Sequence, residues 1–168
     1  MNILFPKDYY ESAYVIPYEE LWNNGYRGII YDIDNTLVPH GAPADARSLE
    51  LIDRLKRIGF EICLVSNNTE DRVDLFNKDA KVKYVFKAGK PLSKGYVKAM
   101  ELMGTDKSTT FSVGDQIFTD VIGTNNAGIR SIMVKLMDRN EPFNIILKRI
   151  LEAPILMMYF LFRGRMKK

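Results

Sequence analysis

Apolar positions along the chain fall into short runs separated by polar loops, and the runs alternate between two periods. Gly28-Ile29-Ile30, Phe60–Val65, Val82–Phe86, Thr109–Val113 and Ile129–Val134 are brief, rich in β-branched and aromatic residues, and predict buried strands. Between them lie stretches with helical spacing. Ala44 to Ile58 sets Leu51, Ile52, Leu55 and Ile58 on one side and stops at Gly59. Further helices are predicted over about 70–79, from Ser93 to about Met103, and over about 119–127, the last two stopping at Gly104 and Gly128. Strands alternating with helices predict an α/β, three-layer Rossmann-like fold, its sheet mainly parallel and of about five strands. Right-handed crossovers then bring every strand's carboxyl end to one edge.

The flanks differ from this centre. Residues 1–27 read as a lead-in packed on the core. Pro6 and Pro17 bar a long helix there, and Tyr9, Tyr10, Tyr14, Tyr18 and Trp22 supply aromatic packing surface. Residues 28–140 form the core domain. Residues 141–168 form a tail, with an amphipathic helix whose apolar stripe is Phe143, Ile146, Leu147 and Ile150, an interruption at Pro154, and eight apolar residues from Ile155 to Phe162. Eight is far short of the ~20 a membrane span needs.

The 168 residues, 46% hydrophobic and 27% charged, fit one globular domain. The net charge of +3 is uneven: residues 147–168 carry +5, leaving −2 for the rest. That argues against a nucleic-acid-binding face on the body and for an anionic contact at the tail. Two occupants of the tail stay open at this point. It is an interfacial anchor on anionic lipid, or a last helix packed on the core or on a second subunit of a homo-oligomer. The lone Cys63 sits in a strand-like run and reads as buried; with no partner cysteine and no His/Cys cluster, neither an internal disulfide nor a zinc site is expected. The first residues hold no sustained apolar core of a secretory signal, so the expected location is cytoplasmic, with peripheral contact on the inner membrane face through the tail.

Chemistry gathers in four loops. Asp32-Ile33-Asp34-Asn35-Thr36 follows the first strand, Ser66-Asn67-Asn68 the second, Lys87-Ala88-Gly89-Lys90-Pro91 the third, and Gly114-Asp115-Gln116-Ile117-Phe118-Thr119-Asp120 the fourth. Several carboxylates brought together repel unless a cation or a proton intervenes. Carboxylates, a hydroxyl and a lysine on one edge are the parts that phosphoryl transfer needs: a nucleophile, an acid/base, donors for the equatorial oxygens and an oxygen-ligated Mg²⁺.

These four motifs, in this order, resemble the haloacid dehalogenase superfamily of phosphatases. The resemblance implies that Asp32 is the nucleophile and a metal ligand. Asp34 would be the general acid/base, with its backbone carbonyl on the metal. Thr36 would shape the loop at the phosphate, and Ser66, Asn67 (through its backbone N–H) and Lys90 would bind phosphate. Asp115 and Asp120 would complete the Mg²⁺ site. Too few residues separate Asp34 from Ser66, or Ser66 from Lys90, to hold a cap domain. The pattern is similar to the capless subfamily IIIA, and within it to bacterial and mitochondrial phosphatidylglycerophosphate phosphatases, which implies a phosphorylated lipid headgroup as substrate. A phosphatase of a soluble nucleotide, sugar phosphate or phosphoprotein is the first alternative, and a non-catalytic partner-binding module the second. His40, the only histidine, reads as a loop residue near the entrance.

Overall fold

In the computed structural model, which describes residues 3–138 and 141–163, six parallel strands form one sheet. Chain order runs β1 (Asp8–Tyr10), α1 (Tyr18–Asn23), β2 (Gly28–Tyr31), α2 (Ala46–Ile58), β3 (Glu61–Val65), α3 (Glu70–Ala80) and β4 (Lys83–Val85). It continues through α4 (Lys94–Met103), β5 (Thr110–Gly114), α5 (Ile122–Ala127), β6 (Arg130–Val134) and α6 (Phe143–Arg163). Spatial order is β1-β6-β5-β2-β3-β4, so β2, which leads into Asp32, is a central strand between β5 and β3.

The expected five strands are present. The sixth, β1, comes from the lead-in. Three residues after Pro6 give no readable alternation, and the strand owes its form to pairing with β6, with Asp8 opposite Ile132.

Alternation within β2 divides the core. Ile29 and Tyr31 face one layer with Leu51, Ile52 and Leu55 of α2 and Phe76 of α3. Ile30 faces the other with Tyr96, Ala99 and Met100 of α4. The lead-in aromatics are packing residues: Tyr18 stacks on Phe111, and Trp22 meets Phe60 edge-on at 5.2 Å. Gly59 ends α2 at φ +116°, and a Cβ there would lie 2.6 Å from the Trp22 ring, so only glycine suits both backbone and neighbour. Cys63 is buried, and burial pushes its thiol up to about 12, as suits a packing residue.

The tail differs most from expectation. Pro154 does not interrupt it; α6 runs from Phe143 to Arg163 as one helix. The ring lies on the outward side, one turn after the exposed Ile150, whose carbonyl loses its helical donor away from the packed side. The stripe of Phe143, Ile146, Leu147 and Ile150 also faces out; the helix turns Arg149, Glu152, Ile155, Leu156 and Tyr159 inward. Of the basic terminal residues, Arg165, Lys167 and Lys168 lie outside the described residues.

Candidate active site

Each motif loop leaves the carboxyl end of a strand on the same edge. β2 ends at Tyr31, and Asp32 still donates its N–H to Val113 O at 3.0 Å, which ties the first loop to β5. The chain then folds back tightly, with Ile33 O accepting from the N–H groups of Leu37 at 3.0 Å and Val38 at 3.3 Å. Asn35 takes φ 61°, a left-handed conformation asparagine tolerates, and its amide reaches Glu141 Oε1 at 2.8 Å.

Lys90 joins the loops. Its ammonium is 2.5 Å from Asp32 Oδ1 and 2.7 Å from Asp120 Oδ1, and its side chain is only 4% exposed. The Asn67 side chain clamps the Lys90 backbone from both directions, accepting from its N–H at 2.7 Å and donating to its carbonyl at 3.0 Å. This is a side-chain role that the expected phosphate contact of the Asn67 backbone does not describe. Ser66 is buried at the pocket wall, its Oγ accepting from Asn68 N–H at 3.1 Å.

Asp120 sits in a π-helical turn, Ile117–Val121, that precedes α5. Such turns widen the helix locally and recur at functional sites. Gly114 makes the arrangement fit, because a Cβ there would come within 2.4 Å of Asp120 Cγ. Asp115 is enclosed. Thr36 Oγ1 lies 3.4 Å from its Oδ1, and Arg149 of α6 pairs with its carboxylate and donates to its backbone carbonyl at 2.7 Å. Thr36, fully buried, thus supports Asp115 rather than lining the pocket.

Asp34 lines the pocket on another side. Its carboxylate accepts from Gly41 N–H at 2.7 Å, Asn68 Nδ2 at 2.8 Å and Arg72 Nη2 at 2.7 Å. His40 Nδ1 stands 3.9 Å from the same carboxylate, at the pocket wall.

Three of the four acids expected at a metal come together: Asp32, Asp115 and Asp120 each offer an oxygen within 4.8 Å of the others. The Asp34 carboxylate stays apart; the metal contact expected of that residue was through its backbone carbonyl. The electrostatics call for positive charge. Burial, with repulsion from Asp120 and Asp34, lifts Asp32 to about 7 against the pull of Lys90. Burial likewise holds Asp115 well above the usual carboxylate range, against Arg149, with Asp32 and Asp120 adding to the rise. Burial opposes protonation of Lys90, but Asp120 and Asp32 overcome it and raise the ammonium well above its ordinary value. With every group ionised, Asp32, Asp34, Asp115, Asp120, Glu141 and Glu152 would exceed Lys90, Arg72, Arg149 and Lys148 by two negative charges. A hard divalent cation held by carboxylate oxygens fits that donor set and that deficit.

Asp32, Asp34, Ser66 and Lys90 line an open cleft of about 200 Å³. Its remaining wall is α6 and the residues leading into it: Glu141, Asn144, Ile145 and Lys148. Sequence reasoning missed Arg72, Glu141, Arg149 and Glu152. Each acts through a partner more than thirty positions away, and the readable hint was that Lys148, Arg149 and Glu152 put charges into a mostly apolar helix.

A HAD-hydrolase-like family model matches residues 87–136, which carry the Lys90 and Asp115 loops. Probable phosphatase YqeG of Bacillus subtilis is 34% identical over 156 residues, covering 92% of this chain and 91% of that protein. Phosphatidylglycerophosphate phosphatase 1, chloroplastic/mitochondrial, of Arabidopsis thaliana is 28% identical over 155 residues, covering 84% of this chain but 44% of that protein. Among solved structures, an uncharacterized protein from Listeria monocytogenes serotype 4b has a TM-score of 0.55 at 17% identity, over 79% of this chain and 98% of its own. Deoxy-D-mannose-octulosonate 8-phosphate phosphatase (YrbI) of Haemophilus influenzae has a TM-score of 0.55 at 14% identity, over 79% of this chain and 88% of its own. At such identities these two structures show the shared fold. With four motif loops on one edge of a parallel sheet and a full-length relative at 34% identity, the chain belongs to the haloacid-dehalogenase-like hydrolase family.

Proposed function

We propose that this HAD-like phosphatase hydrolyses phosphomonoesters through an aspartyl-phosphate on Asp32, with Mg²⁺, and that its substrate phosphate is presented on a lipid headgroup, as in phosphatidylglycerophosphate. The observation that carries the catalytic reading is the Lys90 ammonium bridging Asp32 and Asp120 beside buried Asp115, at the floor of an open pocket. That arrangement suits a nucleophile kept close to a fixed cation that can also meet the substrate's phosphoryl oxygens.

In this reading an Asp32 oxygen attacks phosphorus and the bond from phosphorus to the leaving alcohol oxygen breaks. Asp34, oriented by Arg72, Asn68 and Gly41, gives a proton to that oxygen. It then takes a proton from a water that attacks phosphorus, releasing inorganic phosphate and restoring the Asp32 carboxylate. Ser66 and Lys90 donate to the equatorial oxygens. Mg²⁺, held by Asp32 and Asp115 with Asp120 in support, would offset the negative charge shared by carboxylate and phosphate.

The lipid reading draws support from the 28% identical plant relative and from an open pocket with α6 along its wall. Phosphate release from phosphatidylglycerophosphate in mixed vesicles, measured against a panel of soluble nucleotides, sugar phosphates and a phosphopeptide, tests it. The lipid is expected to have the highest kcat/KM. A soluble compound turned over more efficiently would reject the lipid and leave the catalytic reading in place.

A further inference from the structure

α6 is amphipathic the wrong way round for a helix that faces water. Between Phe143 and Phe162 it carries three charged residues, Lys148, Arg149 and Glu152, and all three lie on the side toward the body. Arg149 grips Asp115, Glu152 accepts from Phe118 N–H at 3.0 Å while almost fully buried, and Lys148 lines the pocket. The opposite face is apolar throughout. Phe143, Leu147, Ile150, Met157 and Leu161 recur at helical spacing and are 51–79% exposed. Isolated exposed apolar residues are ordinary, but a continuous row with no charge among them marks a surface that is covered in use.

We propose that this outward face lies in the interface of an anionic phospholipid bilayer, holding the pocket mouth at the headgroup layer. Two observations favour lipid over a second copy of the chain. In the sequence, Arg163 at the end of α6 is followed by Arg165, Lys167 and Lys168, a basic run that anionic headgroups offset. The outward face offers no acid by which a second copy could do the same, since the single acid of α6 is the buried Glu152. Among the described residues no helix is long and apolar enough to cross a membrane, so the helix lies along the surface. The docking face stands on α6 alone. Its link to the pocket, through Asn144, Ile145 and Lys148 of the same helix, rests on the phosphatase reading above.

The test is cosedimentation of the full chain with vesicles of phosphatidylglycerol and phosphatidylcholine, or of phosphatidylcholine alone, at low and high salt. Sedimentation velocity without lipid accompanies it. The wild type is expected to bind the anionic vesicles at least tenfold more tightly than the neutral ones, less so at high salt. Ile150→Glu with Leu161→Glu is expected to weaken binding at least tenfold while hydrolysis of soluble p-nitrophenyl phosphate stays within twofold. Met157→Ser with Leu161→Ser, which adds no charge, is expected to weaken binding in the same direction, and near-ultraviolet dichroism checks that both variants fold. Wild-type chain that ignores anionic vesicles, or binding that both variants retain, overturns the proposal. So does a wild-type dimer that the double variants dissolve without any vesicle binding, which would make a second copy the occupant. Vesicle binding is read without turnover, so a failed phosphatase reading and a failed docking face give different results.

Discussion

Replacing Lys90 with Met keeps the length of the side chain and deletes its charge. In the structure the ammonium is buried against Asp32 and Asp120 at 2.5 and 2.7 Å. At those separations each contact is worth about 6 kcal/mol at an effective dielectric constant of 20, before desolvation. Much of that is offset by what it takes to bury the charges, and removing one member of a buried ion-pair set nets about 3–5 kcal/mol of destabilisation. For a chain of this length that corresponds to a Tm roughly 10 °C lower in metal-free protein. The loss should be larger at pH 8 than at pH 5, because two carboxylates without their cation are relieved by protonation. Mg²⁺ should restore part of it. Turnover of p-nitrophenyl phosphate should fall by about a hundredfold or more, the usual effect of deleting one donor to transition-state charge. Thermal melts with and without MgCl₂, at both pH values, check the stability half. Lys90→Met combined with Asp32→Asn and Asp120→Asn should recover most of the lost Tm, since no buried charge is then left unpaired. A Lys90→Met melt within a degree or two of wild type at pH 8 would refute the reasoning, because the ammonium would then not be what holds these carboxylates together.

Two other expectations follow from the same site. Burial raises Asp32 to about 7, so in metal-free protein its contribution is fully present below its unfolded value near 4 and is lost as pH rises through 7, amounting to about 4 kcal/mol. Asp32→Asn lacks that loss, so in EDTA its Tm advantage over wild type should grow from pH 5 to pH 8; a constant difference contradicts the raised Asp32. Gly114→Ala would push a methyl group into Asp120 and spoil its contact with Lys90; kcat is expected to drop at least tenfold, and unchanged kinetics would show that Asp120 does not need that position.

The central sheet was legible because its strands are short, mostly buried runs rich in β-branched and aromatic residues, with turn residues between them. β1 was not, since Asp8-Tyr9-Tyr10 becomes a strand only through β6, more than a hundred residues away in sequence. The convergence of Asp32, Ser66, Lys90, Asp115 and Asp120 followed from topology alone, because parallel strands with right-handed crossovers deliver their ends to one edge. What lies behind those residues did not follow. That Arg149 would reach Asp115, Arg72 reach Asp34, or Asn67 hold the Lys90 backbone depends on side-chain reach across loops rather than on local pattern. α6 shows the limit most clearly. Periodicity identified which residues share a face but left open whether the apolar stripe packs inward or faces out, and it faces out because Arg149 and Glu152 have buried partners at the site.

The claim on which the account turns is that Asp32 accepts the phosphoryl group. Acid-quench trapping with a ³²P-labelled substrate and Mg²⁺, followed by peptide mapping, tests it most directly. The account predicts a hydroxylamine-sensitive label on the peptide containing Asp32 in wild type, and neither label nor phosphate release in Asp32→Asn. Label on Ser66, or an Asp32→Asn protein that still releases phosphate at the wild-type rate, would contradict it.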